Sequence, residues 1–462
     1  MRENHTEHTI AAVSTARGTA AISLIRVSGS RAADICDTLF RGASPLPCPR
    51  TLVHGAIVDP ATGQTVDRVL AAFFASPNSY TGEDMLEIHT HGGNYVTNRV
   101  FQLVVDSGAR PAYPGEFTLR AFANAKLDLT QAEAVLDVIH ARNEQFLSAA
   151  QRNLSGYFGN KIQAIRESIV NLLASIEVVF EYPDEAVPDV PHNVINDSLN
   201  QALASIETLL KSYKPESMVN RGLKIALLGR PNVGKSSIMN RVLGFERSII
   251  HESPGTTRDL VGEWTDHLGC DILLMDTAGI TESENPVEAE GVKRTKTFIE
   301  QEADEILIVF DGSQPLQHSD FQLIDYVLAS LANEKQVTAV INKCDLPSLI
   351  DREQLKTRLG DCIETSALSG HGIPDLQNHI KISAQQALSS VSDVLFSNLR
   401  HKILLDGAKK SLTEALSALG SVPQDILCID IRESADCLGE ITGHKVSDDI
   451  LNNIFNNFCV GK

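Results

Sequence analysis

The run Gly229-Arg230-Pro231-Asn232-Val233-Gly234-Lys235-Ser236 holds the densest chemistry in the chain. It follows an apolar stretch, Leu223 to Leu228, and precedes a helix-like stretch, Ser237 to Leu243. In a strand, glycine loop and helix setting, backbone N–H groups of the loop and of the helix N-terminus converge on phosphate oxygens. Asn232, Val233, Gly234 and Ser237 belong to that cradle. Lys235 adds a point charge at the β/γ-phosphates, and the Ser236 hydroxyl can ligate Mg²⁺.

Four more motifs follow in order: Gly255-Thr256-Thr257-Arg258-Asp259, Asp276-Thr277-Ala278-Gly279, Asn342-Lys343-Cys344-Asp345 and Ser366-Ala367-Leu368. Thr257 is placed to offer its hydroxyl to Mg²⁺ and its backbone to a γ-phosphate. Asp276 follows a strand-like stretch, Asp271 to Met275, and can hold a metal-bound water. The Gly279 N–H, at the end of the Thr277-Ala278 step, can meet the γ-phosphate, so its loop would report whether that phosphate is present. Asn342, Lys343 and Asp345 follow the strand-like stretch Val337 to Ile341. The Asp345 carboxylate can accept from guanine N1–H and the exocyclic amine, whereas adenine lacks that amine and has an acceptor at N1. Ser366 and Ala367 would back the base from the other side. The bland alternative is five accidental loop motifs in an ordinary α/β domain. Order along the chain and strand-to-loop placement favour a Mg²⁺-dependent GTP site instead.

One position departs from Ras-like enzymes, in which a glutamine after the Asp-x-x-Gly motif orients the attacking water. Ile280 stands there, and an aliphatic side chain cannot position water. Glu288, in the segment Thr281 to Glu290, is a candidate substitute. It also reads as one of several solvated acids, beside Glu282, Glu284 and Glu290.

The chain has 462 residues, room for about three domains by the usual size range. A hydrophobic fraction of 43% and a charged fraction of 21% describe a globular protein. A net charge of −19 argues against coating nucleic acid electrostatically, without excluding RNA as a substrate. Eight cysteines without C-x-x-C pairs suit a reducing compartment and argue against a zinc site. Met1 to Thr9 is polar, with no signal-peptide core, and no apolar run would span a bilayer, so the expected location is cytoplasmic, away from membranes.

The expected fold is multidomain, α+β and α/β. Residues 1–120 read as an α+β domain, with strands at Ile10 to Ser14, Ala21 to Ser28, Leu52 to Val58, Val69 to Ala75 and Leu86 to Thr90, and helices at Arg31 to Phe40 and Tyr95 to Asp106. Residues 121–218 read as the first part of a helical domain, opened by a capping box, Thr130-Gln131-Ala132-Glu133. One stripe there carries Ile162, Ile165, Ile169, Leu172, Leu173, Ile176 and Val179, and another helix covers Asn193 to Lys211. Residues 219–382 alternate strand and helix as an inserted Ras-like P-loop GTPase domain, and 383–462 return to helix. That tail is short for a core of its own, so both flanks are expected to build one helical domain.

The chain resembles the bacterial tRNA-modification GTPase MnmE (TrmE) family over nearly its whole length. The likeness rests on the motifs above and on Leu24-Ile25-Arg26-Val27-Ser28-Gly29, Pro77-Asn78-Ser79-Tyr80-Thr81-Gly82-Glu83-Asp84, His91-Gly92-Gly93, Pro114-Gly115-Glu116-Phe117, Lys126-Leu127-Asp128-Leu129 and Phe458-Cys459-Val460-Gly461-Lys462. Val460 stands where isoleucine is usual. Era-like GTPases share only the central module.

The resemblance implies an N-terminal dimerisation domain that binds a tetrahydrofolate derivative, the 5-formyl or 5,10-methylene form. Arg26, Glu87 and Lys126 match its folate-contacting positions, with Lys462 near the site. It further implies a K⁺-dependent GTPase activated by dimerisation of its GTPase domains. Asn232 matches the K⁺-ligating side chain, and His251, Ser253 and Thr256 match the surrounding loop, His251 in place of the usual threonine. Glu288 matches the family's water-orienting glutamate. Cys459 is linked in the family to the modification reaction; the residues after it, Val460, Gly461 and Lys462, do not make a prenylation signal. The implied activity is addition of an aminomethyl or carboxymethylaminomethyl group at C5 of the wobble uridine of certain tRNAs. The implied partners are a second copy, tRNA and the FAD-dependent MnmG (GidA), in a heterotetramer or larger complex. A regulatory GTPase switch in ribosome assembly, without RNA chemistry, is the alternative.

Overall fold

The computed structural model describes residues 8–16, 18–42, 50–181, 189–215, 219–220, 222–243, 262–265, 272–276, 297–300, 302–330, 335–389 and 395–462. They divide into two compact units, one of residues 1–139, 150–213 and 398–462, the other of 140–149 and 214–397.

The first unit contains a seven-stranded sheet of order β3-β4-β5-β6-β2-β1-β7. Its strands are β1 (Ile10–Val13), β2 (Ile22–Ser28), β3 (Phe40–Gly42), β4 (Val53–Val58), β5 (Thr65–Phe74), β6 (Met85–His91) and β7 (Arg110–Pro111). Within this sheet, among the described residues, only the β1–β7 pair is parallel. Side chains alternate between the faces of a strand. Ile25 and Val27 of β2 and Leu86 and Ile88 of β6 therefore join Ile35, Leu39, Val100 and Val104, from the helices Ala32–Leu39 and Asn94–Asp106, in one core. Arg26 and Glu87 alternate to the other face, directly opposite each other in the register.

The same unit holds four packed helices: Tyr157–Glu181, His192–Lys211, Leu399–Ala418 and Gln424–Thr442. Both flanks of the chain thus contribute to one bundle. Ile162, Ile165, Ile169, Leu172, Leu173 and Ile176 are buried there as the stripe requires. Val179, at its end, is half-buried.

The capping box lies two residues earlier than expected. The helix Leu129–His140 is capped by Asp128, whose carboxylate accepts from the Gln131 N–H at 2.8 Å while Gln131 Oε1 accepts from the Asp128 N–H at 3.0 Å. Thr130 merely donates its hydroxyl to Asp128. Glu133 is freed for a tertiary role. Its carboxylate accepts from Arg400 Nε at 3.1 Å and Nη2 at 2.9 Å, and from Asn398 Nδ2 at 3.1 Å, and it meets His401 Nε2 at 2.6 Å. Arg400 also donates to the Glu440 and Ile441 carbonyls near the end of Gln424–Thr442.

Burial alone would raise the Glu133 carboxyl, but the His401 and Arg400 charges and hydrogen bonds outweigh it and bring it to about 2. Its contribution to stability is complete above the ordinary value of 4.5, declines as pH falls, and is gone below about 2. Glu133→Ala leaves the buried His401 and the half-buried Arg400 guanidinium without their carboxylate, which is expected to cost about 3–5 kcal/mol at neutral pH. Urea unfolding of both proteins should show that gap at pH 7 and its narrowing towards acid pH. A constant gap would assign the loss to packing.

The second unit contains a six-stranded sheet of order β13-β12-β11-β8-β10-β9. Its strands are β8 (Leu223–Leu228), β9 (Gly262–Thr265), β10 (Ile272–Asp276), β11 (Glu305–Asp311), β12 (Gln336–Asn342) and β13 (Cys362–Glu364). All pairs are parallel except β9–β10. The near-continuous burial of Ile306, Leu307, Ile308, Val309 and Phe310 in β11 is that of a parallel strand covered on both faces.

Candidate functional site

In an open parallel sheet the loops after the carboxyl ends of the strands form the ligand crevice. The P-loop run leaves β8, Asp276 ends β10, Asn342 ends β12, and Ser366 and Ala367 lie just beyond β13. The helix Lys235–Leu243 begins at the P-loop lysine, so its first N–H groups face the loop. Gly234 is required sterically: its φ is 99°, and a Cβ there would lie 2.2 Å from Asn342 Nδ2. Asn232 is exposed with a φ of 65°. Lys235 Nζ donates to the Gly229 carbonyl at 3.0 Å and the Arg230 carbonyl at 3.1 Å, folding the ammonium over the loop. Val233 is buried; Ser236 and Ser237, on the first turn, are exposed.

The base-reading residues are wired to the same loop. Asn342 Nδ2 donates to the Val233 carbonyl at 2.9 Å, and its Oδ1 accepts from the Ala367 N–H at 3.0 Å. Ser366 Oγ donates to Asp345 Oδ1 at 2.5 Å, holding an otherwise exposed carboxylate in place. Lys343 pairs with Asp311, at the end of β11, at 2.6 Å. Burial would raise the Asp311 carboxyl, but hydrogen bonds from Lys343 and Ser313 hold it below the usual carboxylate range. Two anchors had no role assigned from the sequence. Arg241 donates to the Ala367 and Leu368 carbonyls, both at 2.8 Å, and Arg230 pairs with the buried Asp320 at 2.8 Å. A lone arginine near the end of an amphipathic helix carries no local sign of such a contact.

The first unit holds a second cluster. Arg26 Nε and Nη2 both donate to Glu87 Oε1, at 3.0 and 2.8 Å. Glu87 Oε2 has no hydrogen-bond partner among the described residues. The Arg26 guanidinium also lies over the Tyr80 ring, 5.6 Å from its centroid, and the Phe117 ring, 5.8 Å away. Onto this face folds the Cys459–Lys462 segment: the Gly461 carbonyl accepts from Arg26 Nη1 at 3.3 Å and from Ser14 Oγ at 3.1 Å. Burial first, then the Arg26 charge, push the Lys462 ammonium below the usual lysine range, with Glu87 and Cys459 opposing. Cys459 is an exposed free thiol. Lys126 donates instead to the Pro77 carbonyl at 3.0 Å.

A family model described as the MnmE helical domain matches residues 129–459, and one described as the GTP-binding protein TrmE N-terminus matches residues 9–126. The tRNA modification GTPase MnmE of Acetivibrio thermocellus is 36% identical, with 99% of each chain covered. That of Thermoanaerobacter sp. strain X514 is 39% identical over 98% of this chain and 99% of its own. The chain belongs to the tRNA modification GTPase MnmE family. Among solved structures, the G domain of the T. maritima FeoB iron transporter is 28% identical over 35% of this chain and 99% of its own, with a TM-score of 0.29, too low to bear on function.

Several positions singled out in the sequence lie outside the described residues: His251, Ser253, Thr256, Thr257, Thr277, Ala278, Gly279, Ile280 and Glu288. Of the four residues expected from the sequence at a folate site, Arg26, Glu87 and Lys462 share one cluster. The MnmE motif around Glu83 and that around Glu116 have a structural use. Arg120, 1% exposed, bonds Glu83 at 2.9 Å and Glu116 at 3.1 Å, and Arg110 bonds Glu116 through two N–H groups.

Proposed function

We propose that the chain is a potassium-dependent GTPase acting with an FAD-dependent partner of the MnmG type. Together they add an aminomethyl or carboxymethylaminomethyl group to C5 of the wobble uridine of certain tRNAs, using a tetrahydrofolate one-carbon donor. It works as a homodimer in the cytoplasm. No helix among the described residues is long and apolar enough to cross a membrane. The observation that carries the reading is the fold-back of Cys459–Lys462 onto the Arg26–Glu87 pair. A regulatory switch in ribosome assembly needs the guanine-nucleotide site but has no use for a thiol-bearing turn docked on a half-buried ion pair.

The nucleotide site supports GTP through Asp345, fixed by Ser366, and through a loop that only glycine at 234 allows. Lys235 moves from loop carbonyls to phosphate oxygens, and the N–H groups of the first helical turn are aimed to meet them. Ser236, at the start of that helix, and Thr257 would hold Mg²⁺. Asn232, exposed at the loop's left-handed corner, would hold K⁺ with His251, Ser253 and Thr256. Bound K⁺ supplies the positive charge that an arginine finger supplies elsewhere. Glu288 orients water in place of a glutamine.

The first unit's cluster fits a pterin-type ligand. Glu87 Oε2 is an available acceptor for a pterin amine and ring N–H, Arg26 and Lys462 are cations for polar or glutamate oxygens, and the half-buried Tyr80 supplies aromatic surface beside them. Lys126, which donates to the Pro77 carbonyl, would meet another part of such a donor.

Cys459→Ser tests the reading. The hydroxyl keeps the size but is a far weaker acid and nucleophile than the thiol. The variant is expected to keep potassium-stimulated GTP hydrolysis and its melting temperature while losing the modified wobble uridine in tRNA nucleoside analysis. A fully modified tRNA pool would remove Cys459 from the chemistry.

A further inference from the structure

The Cys459–Lys462 segment is a tight turn. The Lys462 N–H donates to the Cys459 carbonyl at 3.3 Å, and Gly461, third of the four, has a φ of 100°. A turn with its third residue in the left-handed region calls for glycine there. Space imposes the same choice independently: a Cβ on Gly461 would lie 2.8 Å from Ser14 Cα and 3.0 Å from the Val13 carbonyl oxygen, both backbone atoms that cannot swing aside. That close approach brings the Gly461 carbonyl to Ser14 Oγ and Arg26 Nη1. The flanks are pinned as well. Phe458 is buried with Leu129, Leu451 and Phe455, and the Phe117 N–H donates to the Lys462 main-chain oxygen at 3.3 Å.

A four-residue turn holds its first and last Cα atoms within about 7 Å. Cys459 and Lys462 are those two residues. Arg26 then has two roles at once, bonding Glu87 through Nε and Nη2 and gripping the turn through Nη1.

We propose that Gly461 is a positioning residue of the one-carbon site: its left-handed corner, clamped through its carbonyl by Ser14 and Arg26, presents the Cys459 thiol and the Lys462 ammonium together at the Arg26–Glu87 pair. This rests on the reading of that pair as the donor site. The turn and the pair belong to one unit of one chain, so a single copy assembles the cluster.

The experiment compares the wild type with Gly461→Ala, Ser14→Ala and Val460→Ala in the full chain. Val460 belongs to the same turn, but its side chain is exposed. Two readouts are taken beside the GTPase rate and melting temperature: modified wobble uridine in tRNA, and the pH dependence of acylation at Lys462, resolved by mass spectrometry of its peptide. In the wild type, Lys462 should react at lower pH than exposed lysines, since burial and Arg26 depress its ammonium. In Gly461→Ala the profile should rise to that of exposed lysines, and modification should fall about a hundredfold, the scale expected when a reacting group is misplaced by an ångström. GTP hydrolysis and melting temperature should stay unchanged. Ser14→Ala should lie between, and Val460→Ala should match the wild type. The proposal is overturned if Gly461→Ala keeps the wild-type Lys462 profile, or if the profile rises while modification persists. A wild-type chain that modifies no tRNA would defeat the functional reading instead, and the Lys462 profile would still decide whether Gly461 docks the turn.

Discussion

Asp345→Asn is expected to weaken GTP binding by about a thousandfold and to make xanthosine triphosphate the better ligand. Guanine presents N1–H and a 2-amino group, both donors, to the Asp345 carboxylate. An asparagine amide sets a donor against one of them and removes the negative charge that strengthens both bonds. Xanthine has an oxygen at position 2, which an amide N–H can meet. The substitution is clean here because the Ser366 hydroxyl can go on donating to Oδ1, so the side chain stays where it is. Asn342 and Ala367 keep their own bonds to each other and to the P-loop. Titration with fluorescent analogues of the two nucleotides checks this. Equal GTP affinity in variant and wild type would show that Asp345 does not read the base.

GTP hydrolysis is expected to run at least tenfold faster in KCl than in NaCl at equal ionic strength, because the charge on the leaving phosphates has no arginine assigned to it. Two residues motivate this: Ile280, where a water-positioning glutamine is usual, and Asn232, exposed at the P-loop corner. In KCl, Glu288→Ala is expected to lower kcat about a hundredfold or more while GTP affinity changes less than about threefold, since a water-orienting group acts mainly in the transition state. Single-turnover rates and nucleotide titrations separate the two quantities. Equal rates in both salts would sink the potassium bridge. A Glu288→Ala chain that hydrolyses at the wild-type rate would return Glu288 to the solvated acids around it.

What could be read from the sequence was local. Leu223 to Leu228, followed by the glycine run, has strand and loop in adjacent residues, and the structure has β8 and the P-loop there. The alternation in β2 and β6 sets Ile25 and Val27 against helices and Arg26 and Glu87 on the opposite face. Contacts between distant residues were not legible. Thr130-Gln131-Ala132-Glu133 and Asp128-Leu129-Thr130-Gln131 both look like helix starts. Only the arrival of Arg400 and His401 shows that Glu133 is spoken for by the bundle. Arg241 on Ala367 and Ser14 on Gly461 likewise need the fold, because nothing near a lone arginine or serine names its partner. Glu288 and the potassium loop lie outside the described residues, so their roles rest on the sequence and its family resemblance.

The central claim is that this chain makes a modified wobble uridine, and nucleoside mass spectrometry of tRNA tests it most directly. Bulk tRNA is compared from a strain lacking its own MnmE-family gene, from the same strain carrying this chain, and from the parent. The expected result is loss of the C5 aminomethyl-type uridines in the deletion and their return with this chain. Unmodified wobble uridine in the presence of the expressed, GTP-hydrolysing chain would contradict the account.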